Sequence, residues 1–249
     1  MAKLLLFDVN GTLLDMGVLD PHFAQLFGRA AARQEWFGLV QQLWMTDLLT
    51  HNYTPFNKLA EAALRMMVER WGLTNSQPDN SKVGQLVHAA ADTLGIYAPT
   101  GEEAAILKDL KELPPFADAA PGLRLLQEAG FRMAALTNGA KSAAEAMLKK
   151  ADLLDYFETV LSVETVKRFK PAPEAYALAT RELNVAPTAT CLVAAHAWDI
   201  SGASAVGWQT AFIRRPHQVL NPDGPKPNWQ GDNLIELAQR LIQSVRQSA

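Results

Sequence analysis

The sequence predicts an α/β fold, a doubly wound parallel sheet carrying an inserted all-helical segment. Three observations predict it. Leu4, Leu5, Leu6 and Phe7 form an unbroken apolar run too short for a helix, as suits a strand buried on both faces. From residue 16 to 113 no alternation of period two occurs, only helical spacing. Beyond Pro114-Pro115, short apolar runs alternate with helical stretches, which implies parallel strands joined by right-handed crossovers.

The first strand, Lys3 to Phe7, enters the loop Asp8-Val9-Asn10-Gly11-Thr12-Leu13-Leu14-Asp15, an acid followed by a turn-forming pair. Leu26, Leu39, Leu43, Leu48 and Leu49 then fall in helical segments. Lys58 to Trp71 spaces Leu59, Ala62, Ala63, Met66 and Met67 as a helix does, with Gly72 as its C-cap. Asn75 to Ser81 is a polar break, Lys82 to Leu94 another helix, and Thr100-Gly101-Glu102-Glu103 starts a helix over Ala104 to Leu113. The expected division is a core of residues 1–15 and 114–249 with a helical cap at 16–113.

In the core, Pro121 to Ala129 is predicted helical and Phe131 to Leu136 a strand ending at Thr137-Asn138-Gly139. The helix Ser142 to Ala151 has Ser142 as its N-cap and Glu145 closing a capping box. Val160 to Val163 is a short strand, and Glu174 to Leu183 is a helix. Thr190 to Ala195 is a strand, Ser201 to Val206 a short helix, and Thr210 to Ile213 a strand. Pro216 to Pro227 is a surface loop, and Asn233 to Val245 closes the chain as a helix.

With 249 residues, 49% apolar and 20% charged, the chain has ample material for a core. A net charge of -3 without a basic, aromatic-rich cluster argues against nucleic acid as a partner. Cys191 is the single cysteine, so an internal disulfide and a thiolate metal cluster are excluded. No signal peptide and no stretch long enough to span a membrane is evident, so the expected location is cytoplasmic.

Four strand ends carry polar groups: Asp8 with Thr12, Thr137 with Asn138, Lys170, and His196 with Asp199. Singly, each has a plain structural role as a turn, a solvated charge or a helix cap. In a parallel sheet all four lie along one edge, where such sheets hold ligands. A carboxylate with a hydroxyl, an amide, a lysine and a second carboxylate suits covalent catalysis by an aspartate nucleophile.

Phe7-Asp8-Val9-Asn10-Gly11-Thr12-Leu13 resembles the first motif of the haloacid dehalogenase superfamily, and Leu136-Thr137-Asn138-Gly139 its second. Lys170-Pro171 with Tyr176 is similar to the third motif, and Val193 to Asp199 to the fourth. The resemblance implies a Rossmann-like core with a helical cap. Phosphatases of this superfamily carry a second aspartate two residues after the nucleophile, where this chain has Asn10, which cannot exchange a proton. Ala194-Ala195 stands where their Mg²⁺ ligands begin, and methyl groups bind no hard cation. The metal-independent 2-haloacid dehalogenase branch fits better, through Ala197-Trp198-Asp199, Gly202-Ala203, the Lys170-to-Tyr176 spacing and Pro227-Asn228-Trp229.

That resemblance implies hydrolysis of a small 2-haloacid to a 2-hydroxy acid through an ester on Asp8, with no metal and no cofactor. Lys170 and Asp199 would position or activate the water. Thr12 and Thr137 would hold the substrate carboxylate or brace Asp8, and Asn138 would cradle the halide. Asn10, Met45, Tyr176, His196 and Trp198 complete the expected substrate-binding set. Substrate and water are then the partners, with no nucleic acid and no membrane.

Three positions depart from the pattern. Met45 follows Trp44 where the branch usually places a halide-binding arginine, and Ala194 and His196 replace a serine and an asparagine. Three readings follow: a dehalogenase of altered range; the same fold hydrolysing another small electrophile or binding a ligand without turnover; or a Mg²⁺-dependent phosphatase acting on a phosphate ester, with Asp8 and Asp199 holding the metal. His196 is a base, a halide-binding donor or a filler. Trp44, Met45, Tyr53 and Phe56 are candidates for the apolar lining. Met66, Met67 and Trp71 are candidates for a homodimer face, since members of the family commonly pair.

Overall fold

The structure is a computed structural model and describes residues 4–73 and 101–247. Its strands are β1 Leu4–Phe7, β2 Arg132–Thr137, β3 Val160–Ser162, β4 Thr190–Ala194, β5 Gln209–Ile213 and β6 Trp229–Gly231. They form one parallel sheet in the order β3-β2-β1-β4-β5-β6. The chain leaves β1 toward β2 and β3, then returns to build β4, β5 and β6 on the other side. That reversal puts the switch point of the sheet at the carboxyl end of β1, beside Asp8.

The helices are α1 Asp20–Phe27, α2 Ala32–Leu49, α3 Phe56–Arg70, α4 Gly101–Asp109, α5 Ala119–Glu128, α6 Lys141–Lys150, α7 Pro173–Glu182, α8 Ala197–Ala205 and α9 Leu234–Arg246. Among the described residues five of these, α1 to α5, lie between β1 and β2, and the first four fall within 16–113, where the spacing is helical. The predicted break at 75–81 and the helix at 82–94 lie outside the described residues. Leu4 to Phe7 are fully buried because helices cover both faces: Leu5 and Phe7 join the larger apolar cluster, while Leu4 and Leu6 pack with Tyr176 and Trp208.

Several local expectations are corrected. Ser142 is not the N-cap of α6; Ala140 is, and the amide of Lys141 donates to Glu164 instead. A glutamate from another loop supplies what a local capping box would have. Helix α8 starts at Ala197, four residues before the predicted Ser201, so Asp199 sits in its first turn. Helix α4 stops at Asp109 rather than Leu113. Trp229–Gly231 forms an edge strand where no strand was expected.

Of the three residues expected at a dimer face, Met67 is buried, whereas Met66 and Trp71 are exposed. No helix among the described residues is long and apolar enough to cross a membrane.

Candidate active site

Asp8 follows β1, and its backbone amide continues the ladder by donating to the carbonyl of Val193. The residue is 5% exposed, and its carboxylate receives three donors. Lys170 Nζ donates to Oδ1 at 2.9 Å, and Thr12 Oγ1 to Oδ2 at 2.7 Å. His196 Nδ1 lies 3.1 Å from Oδ2. Burial alone would push the Asp8 carboxyl up, but the charge of Lys170, with His196, outweighs it and holds the group well below the usual carboxylate range. Asp8 is therefore an ionised carboxylate in a nearly dry setting.

Lys170 reaches this point from the loop after β3 and is fully buried. Its three ammonium protons are all engaged, by Asp8 Oδ1, by Asp199 Oδ2 at 2.6 Å and by the carbonyl of Leu136 at 3.0 Å. Burial disfavours its charge, yet Asp199 and Asp8 overcome this and raise its pKa. Asp199 is likewise fully buried, and desolvation, with the charge of Asp8, pushes its carboxyl up against the pull of Lys170 and Tyr176. Two carboxylates thus share one ammonium, with Asp8 the more firmly charged.

Thr12, Asn138, Tyr176, His196 and Trp198 each touch Asp8, Lys170 or Asp199, and several take bracing positions. Tyr176 is buried and donates to Asp199 Oδ1 at 2.7 Å. A Cβ on Gly202 would collide with Tyr176 and Pro171, which is why the α7–α8 contact is made at a glycine. Asn138 uses both ends of its amide on the Lys170 backbone, Nδ2 donating to its carbonyl and Oδ1 accepting from its N–H. The Lys170-Pro171 peptide there is cis. Thr137 Oγ1 accepts from the amide of Gly139 and shapes the turn. Thr12 joins two strand ends, donating to Asp8 while accepting from the amide of Ala195 at 3.0 Å.

Asn10 is half-buried, and its Oδ1 finds no partner among the described residues. No cluster of three or more His, Cys, Asp or Glu able to hold a metal occurs among the described residues.

Aromatic rings roof the site. His196 stacks on Trp198 at 5.2 Å between centroids and meets Phe37 of α2 at 5.7 Å. Trp198 meets Trp44 edge-on at 5.4 Å, and Trp44 packs on Phe169 and Phe56. Tyr53 stacks on Phe169, and burial pushes its hydroxyl up to about 12. Met45 packs half-buried against the core, and the α2 side chain that meets His196 is Phe37, which the sequence reading passed over.

Arg215 was also missed. It follows β5, donates from Nε to the carbonyl of Thr12 at 3.0 Å, and grips both oxygens of Asp118 through Nη1 at 2.8 and 2.9 Å. Its position just past an apolar strand was the available signal. A cavity of about 150 Å³ lies beside His196, lined among others by Gly11, Met16, Phe37 and Arg215.

Comparison with known proteins bears on this geometry. A family model described as haloacid dehalogenase-like hydrolase matches residues 2–207. The chain is similar to (S)-2-haloacid dehalogenase 1 of Pseudomonas sp. (strain CBS-3), 28% identical, with 95% of each chain covered. It is 30% identical to the (S)-2-haloacid dehalogenase of Xanthobacter autotrophicus over 88% of this chain and 77% of that one. A crystal structure described as a dehalogenase with intermediate complex superposes with a TM-score of 0.79 at 26% identity, covering 96% of both chains.

Proposed function

This chain belongs to the haloacid dehalogenase-like hydrolases, and from that premise we propose that it hydrolyses a small 2-haloacid to the 2-hydroxy acid, without a metal, through an ester on Asp8. The observation that carries the reading is the buried, ionised Asp8 bonded to a lysine that is itself locked onto Asp199. A carboxylate offers about four lone-pair sites. Lys170 takes one on Oδ1, while Thr12 and His196 take both on Oδ2, so Oδ1 keeps the free pair. Oδ1 attacks C2 of the substrate, the carbon–halogen bond breaks, and the halide leaves with its electrons. Poor solvation raises the reactivity of Asp8 before attack.

Alkylation removes the negative charge of Asp8, and Lys170 then faces Asp199 alone. Asp199, held by Lys170 and Tyr176, takes a proton from a water that attacks the Asp8 carboxyl carbon. The ester C–O bond breaks at that carbon, the departing alkoxide takes the proton back from Asp199, the Asp8 carboxyl gives up its own proton to solvent, and the 2-hydroxy acid departs with C2 inverted. Asn10 fits this scheme because a second acid beside the nucleophile serves a phosphorylated intermediate and has no task here.

Three finer readings belong to the same proposal. Residues 16–113 act as a cap over a core of 1–15 and 114–249, with Trp44, Tyr53 and Phe56 closing the site. The protein works in the cytoplasm. Two copies pair, with the exposed Met66 and Trp71 in the interface.

The test is halide release from racemic 2-chloropropionate and monohaloacetates with EDTA present, with Asp8→Asn as control. Release that disappears in the variant supports the proposal. No release above the variant background on any of these acids overturns it.

A further inference from the structure

The loop that carries the nucleophile is sewn to residues 114–118 at three points. The carbonyl of Leu13 accepts from the amide of Phe116 at 2.9 Å, and the amide of Asp15 donates to the carbonyl of Pro114 at 2.7 Å. Arg215 makes the third stitch, at Thr12. Its Nε donates to the Thr12 carbonyl at 3.0 Å while Nη1 grips both oxygens of Asp118. The guanidinium carbon lies 3.9 Å from the centre of the Phe116 ring, and the residue is buried.

Thr12 is held by its carbonyl on one side and works with its hydroxyl on the other. Oγ1 donates its one proton to Asp8 Oδ2 at 2.7 Å and accepts from the amide of Ala195 at 3.0 Å. Hydrogen bonds weaken steeply with misalignment, so both contacts depend on where the backbone of Thr12 sits. Tying down Oδ2 in this way leaves Oδ1 to meet the substrate. A guanidinium suits the task because its planar fork serves Asp118 and Thr12 at once, whereas an ammonium on a flexible stem is a single point of charge.

We infer that Arg215 is a positioning residue for the nucleophile, acting through the Thr12 carbonyl to hold Asp8 Oδ2 and present Oδ1. The kinetic side of this inference rests on the proposed dehalogenation, and the structural side does not.

The experiment is amide hydrogen exchange of the whole protein, read by NMR, together with single-turnover halide release from 2-chloropropionate. The proteins are wild type, Arg215→Lys, Arg215→Met, Thr12→Val and the double variant of Thr12→Val with Arg215→Met. Ala195 is the reporter, because its amide bonds Thr12 Oγ1. In both Arg215 variants it is expected to exchange about tenfold faster relative to the amides of β1, the worth of about one hydrogen bond. Single turnover is expected to slow about tenfold with KM within about twofold, since Arg215 places the attacking group and does not hold the acid. Arg215→Lys keeps a cation for Asp118, so these losses are expected without a comparable loss of stability in urea unfolding. Thr12→Val removes the relay, and on that background Arg215→Met is expected to add less than about twofold. Unchanged exchange at Ala195 overturns the inference, as does a rise that β1 matches, which marks a purely structural role. A full effect of Arg215→Met in the Thr12→Val background also overturns it. If the wild type releases no halide, the dehalogenation falls, and exchange at Ala195 still decides the role of Arg215.

Discussion

Replacing Lys170 with Met removes the one cation between two buried carboxylates and nearly preserves its volume. In the wild type, Asp8 and Asp199 are each bonded to the ammonium, at 2.9 and 2.6 Å, and neither can rehydrate. Leaving an uncompensated buried charge costs about 3–5 kcal/mol. The variant escapes part of this by protonating one carboxyl. At pH 7 that costs about 4 kcal/mol, being roughly three units above an ordinary carboxylate pKa at 1.36 kcal/mol each. Both routes give a deficit of about 4 kcal/mol, a large share of a typical total of about 5–15 kcal/mol.

The sign with pH follows. In the wild type the Asp8 pKa is depressed on folding, so its contribution is present above the unfolded value and is lost as pH falls through the folded one. In the variant a carboxyl is raised on folding, so protonation favours the folded chain as pH falls. The deficit therefore narrows between pH 7 and pH 4. Urea unfolding of both proteins across that range measures it. A deficit under about 1 kcal/mol at pH 7, or one independent of pH, would refute the shared-ammonium picture.

Tyr176→Phe deletes the 2.7 Å bond to Asp199 and is expected to cost about 1–3 kcal/mol in urea unfolding, with slowed release of the ester intermediate in single-turnover kinetics. His22 bonds Glu102 from one ring nitrogen and Asp109 from the other, which requires the imidazolium, and its pKa is raised chiefly by the bond to Glu102. Its contribution is complete below the unfolded value and is lost as pH rises through the folded one. His22→Gln should thus destabilise more at pH 6 than at pH 9, by less than about 1 kcal/mol because the pair is partly exposed, as thermal melts at both pH values will show. Gly122→Ala drives a Cβ within 2.9 Å of the Leu234 backbone and should cost about 1–3 kcal/mol by overpacking α5 against α9. Unchanged melting of that variant would contradict the packing.

The parallel sheet was legible because β1, β2 and β4 are apolar runs bounded by turn residues, and that pattern is local. The edge strand β6 is only Trp-Gln-Gly, and its pairing to β5 comes from tertiary contact rather than composition. The N-terminus of α6 misled for the same reason: Ser142 and Glu145 have the right spacing, but Glu164 arrives from across the fold and serves Lys141. At the site, Asp8, Lys170 and Asp199 were readable because strand ends converge along one edge. The bracing tasks of Asn138 and Tyr176 were not, since each depends on a partner from another element. Arg215 hides in Arg214-Arg215-Pro216, which reads as a solvated turn, because Asp118 lies 97 positions away.

The ester on Asp8 is the central claim, and oxygen-18 water tests it most directly. Single turnover with excess enzyme is expected to give a 2-hydroxy acid whose new hydroxyl carries ordinary oxygen from Asp8, while mass spectrometry finds the label in the Asp8 peptide. Label in the hydroxyl on that first turnover, with the Asp8 peptide unlabelled, would mean that water attacks C2 directly and that no ester forms.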